Sequence, residues 1–534
     1  MGERAASALL DSSPGGIAHC VSVDAAPDRA GSAGLEVREI MTKQHTPIDA
    51  AVRPLIVWFR NDLRLADHPA LSAAIATGRP VIPLFILDER GSATRPLGGA
   101  ARWWLHHSLV ALAASLRTIE GASPPGLQLC LRRGPAVQVL SELIAECAVA
   151  GVYCNRTYEP DLDALDTAVA QRLAAAGVVF ERFPGALLAE PGALRTGSGG
   201  PFKVFTAFWN RLSAMEVAPP LPVPRKLAGG ASVPRSERLE EWGLLPGLGW
   251  DSGFAPLWTP GEKGARVRLR EFLGRQFDSY RTARDVPSVE GTSRLSPHLC
   301  FGEISARQIW HALLKAPGGG RAELVGNGFL RELGWREFAR YTLHHFPSPP
   351  QRPLRQEFEA FSWREDAAGF AAWCRGRTGY PIVDAGMRQL WHTGWMHNRV
   401  RMIVGSFLVK DLLVPWQRGE AWFWDTLLDA DRASNALNWQ WVSGCGVDAA
   451  PYFRIFNPVA QSERFDSDGE YLRRWLPELR ALPAPMIHAP WNARPLELVQ
   501  AGVRLGETYP RPIVEHEEAR KRALARFEAL RQRN

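Results

Sequence analysis

The sequence predicts a two-part fold: an α/β unit built on a parallel, Rossmann-like sheet, followed by a large all-helical unit. Three observations carry this expectation. The chain has 534 residues, more than one compact core accommodates. From Leu55 to about residue 183, short apolar runs alternate with amphipathic stretches. Beyond about residue 266, strand signals fade and apolar positions recur at helical spacing, as in FLRELGWREFARYTL (329–343) and RMIVGSFLVKDLL (401–413).

Taken in order, residues 1–50 are rich in Ala, Ser, Gly and Asp without periodicity and read as a disordered extension, with Met41 a second candidate start. Strands are expected at LIVWF (55–59), VIPLFIL (81–87), LQLCL (127–131), GVYCN (151–155) and VVFERF (178–183). Helices are expected near 69–77, 99–119, 136–148 and 161–176, which places an α/β domain over 51–184. No GxGxxG follows the first strand, which argues against a nicotinamide site. Residues 185–265 are dense in Gly and Pro, including TGSGGPF (196–202) and PPLPVP (219–224), and read as a connector crossing the surface. The helical domain then occupies 266–534.

The formal net charge is +7 and the isoelectric point near 9.1, which permits a polyanionic partner without requiring one. Seven cysteines are scattered without a CxxC pair or a His/Cys array at metal-ligand spacing, the usage of a reducing, cytoplasmic compartment with no metal centre. No apolar run approaches the ~20 residues of a membrane span. Tryptophan is the anomaly: 20 Trp against 8 Tyr, concentrated between Trp335 and Trp441.

Four clusters in the helical half are unusual. In GTSRLSPHL (291–299), hydroxyls at Thr292, Ser293 and Ser296 precede Pro297. Ser before Pro suits an N-cap and first helical position, and a helix start offers free N–H groups to an anion such as a diphosphate. Glu332, Trp335 and Arg336 share one helical face by i, i+3, i+4 spacing. The same spacing unites Asn398, Arg401 and Met402 at the edge of an apolar helix, where polar groups need partners. In LLDADRASNALNWQW (427–441), Asp429 and Asp431 precede Asn435, and Trp439 stands one turn beyond it. Trp441 cannot share that face if the helix continues.

Together these clusters resemble the photolyase/cryptochrome family. The resemblance begins at LIVWFRNDLRL (55–65) and continues through AAPYFRIFNPVAQSERFD (449–466) to YPRPIVEHEEAR (509–520). Agreement this long and ordered is specific, where any single motif is not. In that family the helical domain holds FAD, bent into a U, beneath an opening toward DNA. The resemblance implies that Tyr280, Thr292, Ser293, Arg294, Leu295 and Ser296 meet the phosphates. Arg336, Asn398, Arg401, Asp429, Asp431 and Asn435 would hold the flavin side. Arg401 beside Asp429 is physically sensible, because a buried guanidinium needs a carboxylate. Phe329 stands where many relatives have Trp.

By the same resemblance Glu332, Trp335, Asn398, Met402 and Trp441 match positions that touch a pyrimidine dimer, with Arg284 and Arg399 also on the substrate side. Two indoles can clamp a flipped dimer, since base stacking on an aromatic face contributes ~1–3 kcal/mol. Asn435 corresponds to the residue facing flavin N5, where plant cryptochromes generally carry Asp. A carboxamide bonds the flavin without offering it an acidic proton. Trp439, Trp416 and Trp363 fall at the positions of the family's electron-transfer triad, whereas Trp422 and Trp424 have no assigned role. PLGGAARWWLHHSL (96–109) looks like the class III subgroup, whose members commonly carry a 5,10-methenyltetrahydrofolate antenna. The folate contacts of class I enzymes are not matched, so a folate should use another site.

The implied activity is light-driven repair of cyclobutane pyrimidine dimers in DNA by a monomer. The antenna would pass excitation to reduced FAD, the flavin would send an electron to the dimer, and Glu332, if protonated, would hydrogen-bond a pyrimidine carbonyl. A cryptochrome-type photoreceptor is disfavoured by Asn435 and the two clamp tryptophans. An enzyme for (6–4) photoproducts is disfavoured by His397-Asn398 in place of a His pair.

Overall fold

The computed structural model describes residues 53–533 except 90–94, 121–126, 227–233, 317–327 and 348–350; the expected N-terminal extension and Met41 lie outside them. Five parallel strands, β1 (Leu55–Phe59), β2 (Val81–Leu87), β3 (Cys130–Arg133), β4 (Gly151–Asn155) and β5 (Val179–Phe183), stand in the order β3-β2-β1-β4-β5. Every residue of β1 and β2 is buried, as central strands covered on both faces require. Helices α1 (Pro69–Ala76), α2 (Gly99–Leu116), α3 (Ala136–Cys147) and α4 (Pro160–Ala175) supply the cover. Alternation along β1 sorts its side chains. Leu55, Val57 and Phe59 join Trp103, Trp104 and Leu112 of α2 in one core, while Ile56 and Trp58 join Leu140, Leu143 and Leu173 in another.

One strand is displaced from its expected place. β3 begins at Cys130 rather than Leu127, because its register pairs Leu84 with Cys130 and Leu87 with Arg133. The Leu127–Leu129–Leu131 alternation partly belongs to the incoming chain, where the Leu127 N–H donates to the Leu116 carbonyl. The strand itself extends into Arg132 and Arg133, charged residues suited to an edge.

The connector also differs from expectation. It contains α5 (Phe205–Ala214) and two 3₁₀ turns, Pro191–Ala193 and Leu239–Trp242. Phe202, Phe205, Phe208 and Trp209 are buried with Leu330, Leu333 and Phe338 in a shared core. Packing of these aromatics on Leu330, Leu333 and Phe338 outweighs the Gly/Pro density around them.

In the helical half, α6 (Gly328–His345), α7 (Pro381–Thr393), α8 (Asn398–Ser406), α9 (Trp416–Thr426), α10 (Arg432–Ser443) and α11 (His516–Arg533) are the helices that position the site. A π-helical turn, Phe407–Asp411, continues α8. Gly394 ends α7 in the left-handed region (φ 65°), redirecting the chain into Trp395. Trp395 and Leu428 pack into the same core as α2, so the two halves share apolar mass. Polar contacts join them too: Arg64 donates to the Gly302 carbonyl at 3.0 Å, and Asp67 accepts from Arg307 at 2.6 Å. Among the described residues no helix is long and apolar enough to cross a membrane.

Candidate functional site

Helix α10 carries the centre of the site. Asp431 caps it, accepting from the Ser434 N–H at 2.9 Å. One turn along, Asn435 is buried and donates through Nδ2 to Glu420 twice, to its carbonyl at 3.0 Å and to Oε1 at 2.8 Å. Those donations fix the amide, and Oδ1 has no partner among the described residues. Trp439 is buried another turn on, whereas Trp441 is only half-buried, and both pack on the same apolar cluster.

Facing this helix, Arg401 of α8 forks onto Asp429, with Nη1 to Oδ1 at 3.1 Å and Nη2 to Oδ2 at 2.7 Å, and its Nε donates to the Met396 carbonyl. Bidentate pairing fixes both orientation and charge. Asn398 opens α8 and is exposed. His397 caps the helix through Nδ1, while its buried Nε2 has no partner. Burial, reinforced by Arg399, Arg401 and Arg294, pushes this imidazole down to about 4. Arg399 pairs with Asp285 at 2.8 Å and reaches the Met402 sulfur at 3.8 Å.

On α6, Glu332 accepts from Arg284 at 2.7 Å, and that guanidinium also lies over the Tyr280 ring. As an acceptor of Arg284, Glu332 can donate to another group only with a proton on its second oxygen. Trp335 stacks on Phe205 with centroids 3.7 Å apart and planes 8° from parallel, which braces one face of the indole. Arg336 donates to Glu337 at 2.7 Å, and its buried Nε is unpartnered. Burial, and next to it the charge of Arg340, brings Arg336 down to about 10. Alone among the residues expected to hold the cofactor, Arg336 lines the polar crevice between sheet and helices, with Arg340, Thr157 and Glu159.

The 291–296 segment departs from expectation. Ser296 is not an N-cap: Leu295 occupies that position, Ser296 is the first residue of the five-residue helix Ser296–Cys300, and no side chain caps it. The Ser296 hydroxyl instead accepts from the Trp395 indole at 3.3 Å. So short a helix supplies little dipole, and phosphate recognition would fall to side chains. Thr292 precedes Ser293, whose Oγ accepts from Leu295 N. Arg294 holds φ 50°, a conformation costing a non-glycine residue ~1–2 kcal/mol, and lies over Trp395 while pairing with Glu290. Phe329 packs on Phe272 and Tyr280.

Trp416 is buried and Trp363 is half-buried beside Phe361. Trp439 packs on Phe423 and Trp373, at 5.0 and 6.2 Å between centroids. Glu420 is a site residue that the sequence does not announce: it stands one turn beyond Trp416, but nothing in that spacing links it to Asn435 on the next helix.

The description "FAD binding domain of DNA photolyase" matches residues 329–529, and "DNA photolyase" matches residues 55–225. A deoxyribodipyrimidine photo-lyase of Agrobacterium fabrum is 49% identical over 90% of this chain and 98% of its own length. Cryptochrome-1 of Arabidopsis thaliana is 40% identical over 88% of this chain and 69% of its own. The crystal structure of a class III photolyase from Agrobacterium tumefaciens superposes with TM-score 0.86 at 48% identity, covering 92% of this chain and all of that one.

Proposed function

The chain belongs to the DNA photolyase family, and from that premise we propose that it is a deoxyribodipyrimidine photo-lyase that uses FAD and light to split cyclobutane pyrimidine dimers in DNA. Asn435 carries the reading. Its NH₂ is committed to Glu420, so it offers the flavin a neutral carbonyl oxygen and no acidic proton. The residues present fit FAD: the buried, unpartnered Nε2 of His397 and Nε of Arg336 are polar atoms that need a partner, and the Asn435 amide is oriented by its two donations to Glu420.

Reduced FAD supplies the electron that light delivers to the dimer. Around it, the Arg401–Asp429 pair holds a fixed charge couple at the flavin. Tyr280 and Thr292 to Ser296 receive the phosphates. Trp335, braced by Phe205, and half-buried Trp441 clamp the flipped dimer between aromatic faces. Glu332, Asn398 and Met402 line the lesion side, with Arg284 and Arg399 supplying positive charge toward the strand. Trp363, Trp416 and Trp439 lead electrons inward when the cofactor must be reduced. We extend the proposal to a methenyltetrahydrofolate antenna, supported by the class III character of residues 96–109 and the likeness to a class III structure.

The 40% identity to a plant cryptochrome favours a second reading as a photoreceptor. One experiment separates them: record the absorption spectrum of the purified protein, reduce it, and follow thymine dimers in irradiated DNA under blue light. Loss of dimers in light and not in darkness is expected. A flavin spectrum with no loss of dimers would leave the photoreceptor reading.

A further inference from the structure

We propose that Arg95, on the segment entering α2, is a positioning residue for the Asn435 carboxamide and acts through Glu420. The proposal rests on the reading that Asn435 faces the flavin. Arg95 Nη1 donates to Glu420 Oε1 at 2.7 Å, and that same oxygen accepts from Asn435 Nδ2 at 2.8 Å. One buried carboxylate oxygen thus joins a guanidinium from the sheet half to the central amide of the helical half.

Glu420 is 4% exposed, and Arg95 is its one cationic partner among the described residues. A carboxylate so buried is tolerated when a cation and further donors satisfy it, and its loss of the cation is costly. Arg95 is itself held in place. Its guanidinium lies 4.3 Å from the centroid of Trp424, whose indole N–H donates to the Pro96 carbonyl at 2.8 Å. Close by, Gly99 N donates to Asp425 Oδ1 at 2.8 Å. Gly98 approaches the Trp424 carbonyl so closely that a β-carbon there would stand 2.1 Å from it. Residues 95–99 are therefore strapped to the end of α9, and Trp424, without a role in the sequence reading, is the platform on which Arg95 rests.

With Arg95 present, Glu420 remains an acceptor, holds the Asn435 NH₂, and turns Oδ1 outward. Without it, the buried Glu420 carboxylate loses its one cationic partner among the described residues and stands as an uncompensated charge behind the flavin, which disfavours the anionic reduced cofactor.

The test is equilibration of the bound flavin with a reference dye in the whole protein, for the parent, Arg95→Ala, Arg95→Lys, Glu420→Gln and the Arg95→Ala/Glu420→Gln double variant. At a fixed poise the reduced-to-oxidised ratio should fall about tenfold in Arg95→Ala, the order of one lost charge-assisted contact. Arg95→Lys should recover most of it, and Arg95→Ala should be silent beside Glu420→Gln. If Arg95→Ala fails to retain flavin, Arg95→Gln provides the neutral variant. An unmoved ratio with flavin bound would overturn the proposal alone. An equal fall in Arg95→Lys, or the same fall in both Glu420 backgrounds, would overturn it by assigning the effect to packing. A parent protein that binds no flavin would sink the cofactor reading and this one with it.

Discussion

Gly419 of α9 lies directly against the indole of Trp439 on α10: a β-carbon at Gly419 would stand 2.2 Å from Cη2 and 2.5 Å from Cζ3 of that ring. In an exposed helix interior, Gly to Ala stabilises by about 1 kcal/mol. Here overpacking, typically ~1–3 kcal/mol, opposes and exceeds that gain. Gly419→Ala should therefore lower stability to urea and, by displacing Trp439, slow light-driven reduction of oxidised flavin. A variant more stable than the parent, with unchanged transient absorption of Trp radicals, would show that Trp439 has room to spare.

How far the sequence reveals this molecule depends on the kind of signal. Strands β1 and β2 are legible to the residue because burial on both faces makes them unbroken apolar runs between turn residues. β3 is not, because its register is set by β2 and not by its own alternation. In the connector, Phe205 and Trp209 are buried although Gly and Pro surround them, since long-range packing on α6 outweighs local composition. The site divides similarly. Asn435 and Trp439, or Asn398 and Met402, are related by helical spacing and could be read in advance. Glu420 with Asn435, Arg95 with Glu420, and Phe205 with Trp335 meet only through tertiary packing, and no spacing in the chain announces them.

Trp335 and Trp441 differ in how they are held, and truncation should expose the difference. Trp335 is stacked on Phe205, so Trp335→Ala removes both a base platform and a core contact. Trp335→Ala and Trp441→Ala should each weaken binding to dimer-containing DNA by about 1–3 kcal/mol while flavin remains bound. Trp335→Ala should also lower stability more than Trp441→Ala. Gel-shift titration against damaged and undamaged duplexes provides the measurement; undiminished affinity in both variants would remove the clamp assignment.

Acid should loosen the fold around His397. Its imidazole titrates near 4 in the folded protein against an ordinary 6.5, with burial the main cause. Between these values the unfolded chain binds a proton that the folded chain does not, so stability rises with pH in that window. The contribution is complete above about pH 6.5 and is lost as pH falls toward 4, amounting to about 3 kcal/mol at most. His397→Asn retains an acceptor for the Arg399 N–H and has no proton to gain. Its stability should fall less steeply between pH 6.5 and 4.5 than that of the parent in urea unfolding. Parallel curves would mean that the ring is charged in the folded state or open to water.

The sharpest test of the site is Asn435→Asp, nearly isosteric but different in every proton it can offer. Asn435 gives two N–H contacts to Glu420, one of them 2.8 Å from Oε1. A carboxylate in its place would set two acceptors against each other at that distance, and two like-charged acids so close do not both ionise. The pair should retain a proton, held beside the position where the flavin gains charge. Folding should be little affected, because size is conserved and the proton replaces the lost donor. Under illumination with a reductant, the variant's visible spectrum should stop short of the fully reduced flavin that the parent reaches, and repair of thymine dimers should be lost. Arg95 donates to the same Glu420 Oε1 that faces residue 435, so adding Arg95→Ala removes the one cation at this pair among the described residues and should deepen the block. If the single variant passes to fully reduced flavin and repairs dimers at the parental rate, residue 435 does not govern proton supply at the flavin. The principal distinction from a plant-type photoreceptor would then have to come from the Trp335 and Trp441 clamp.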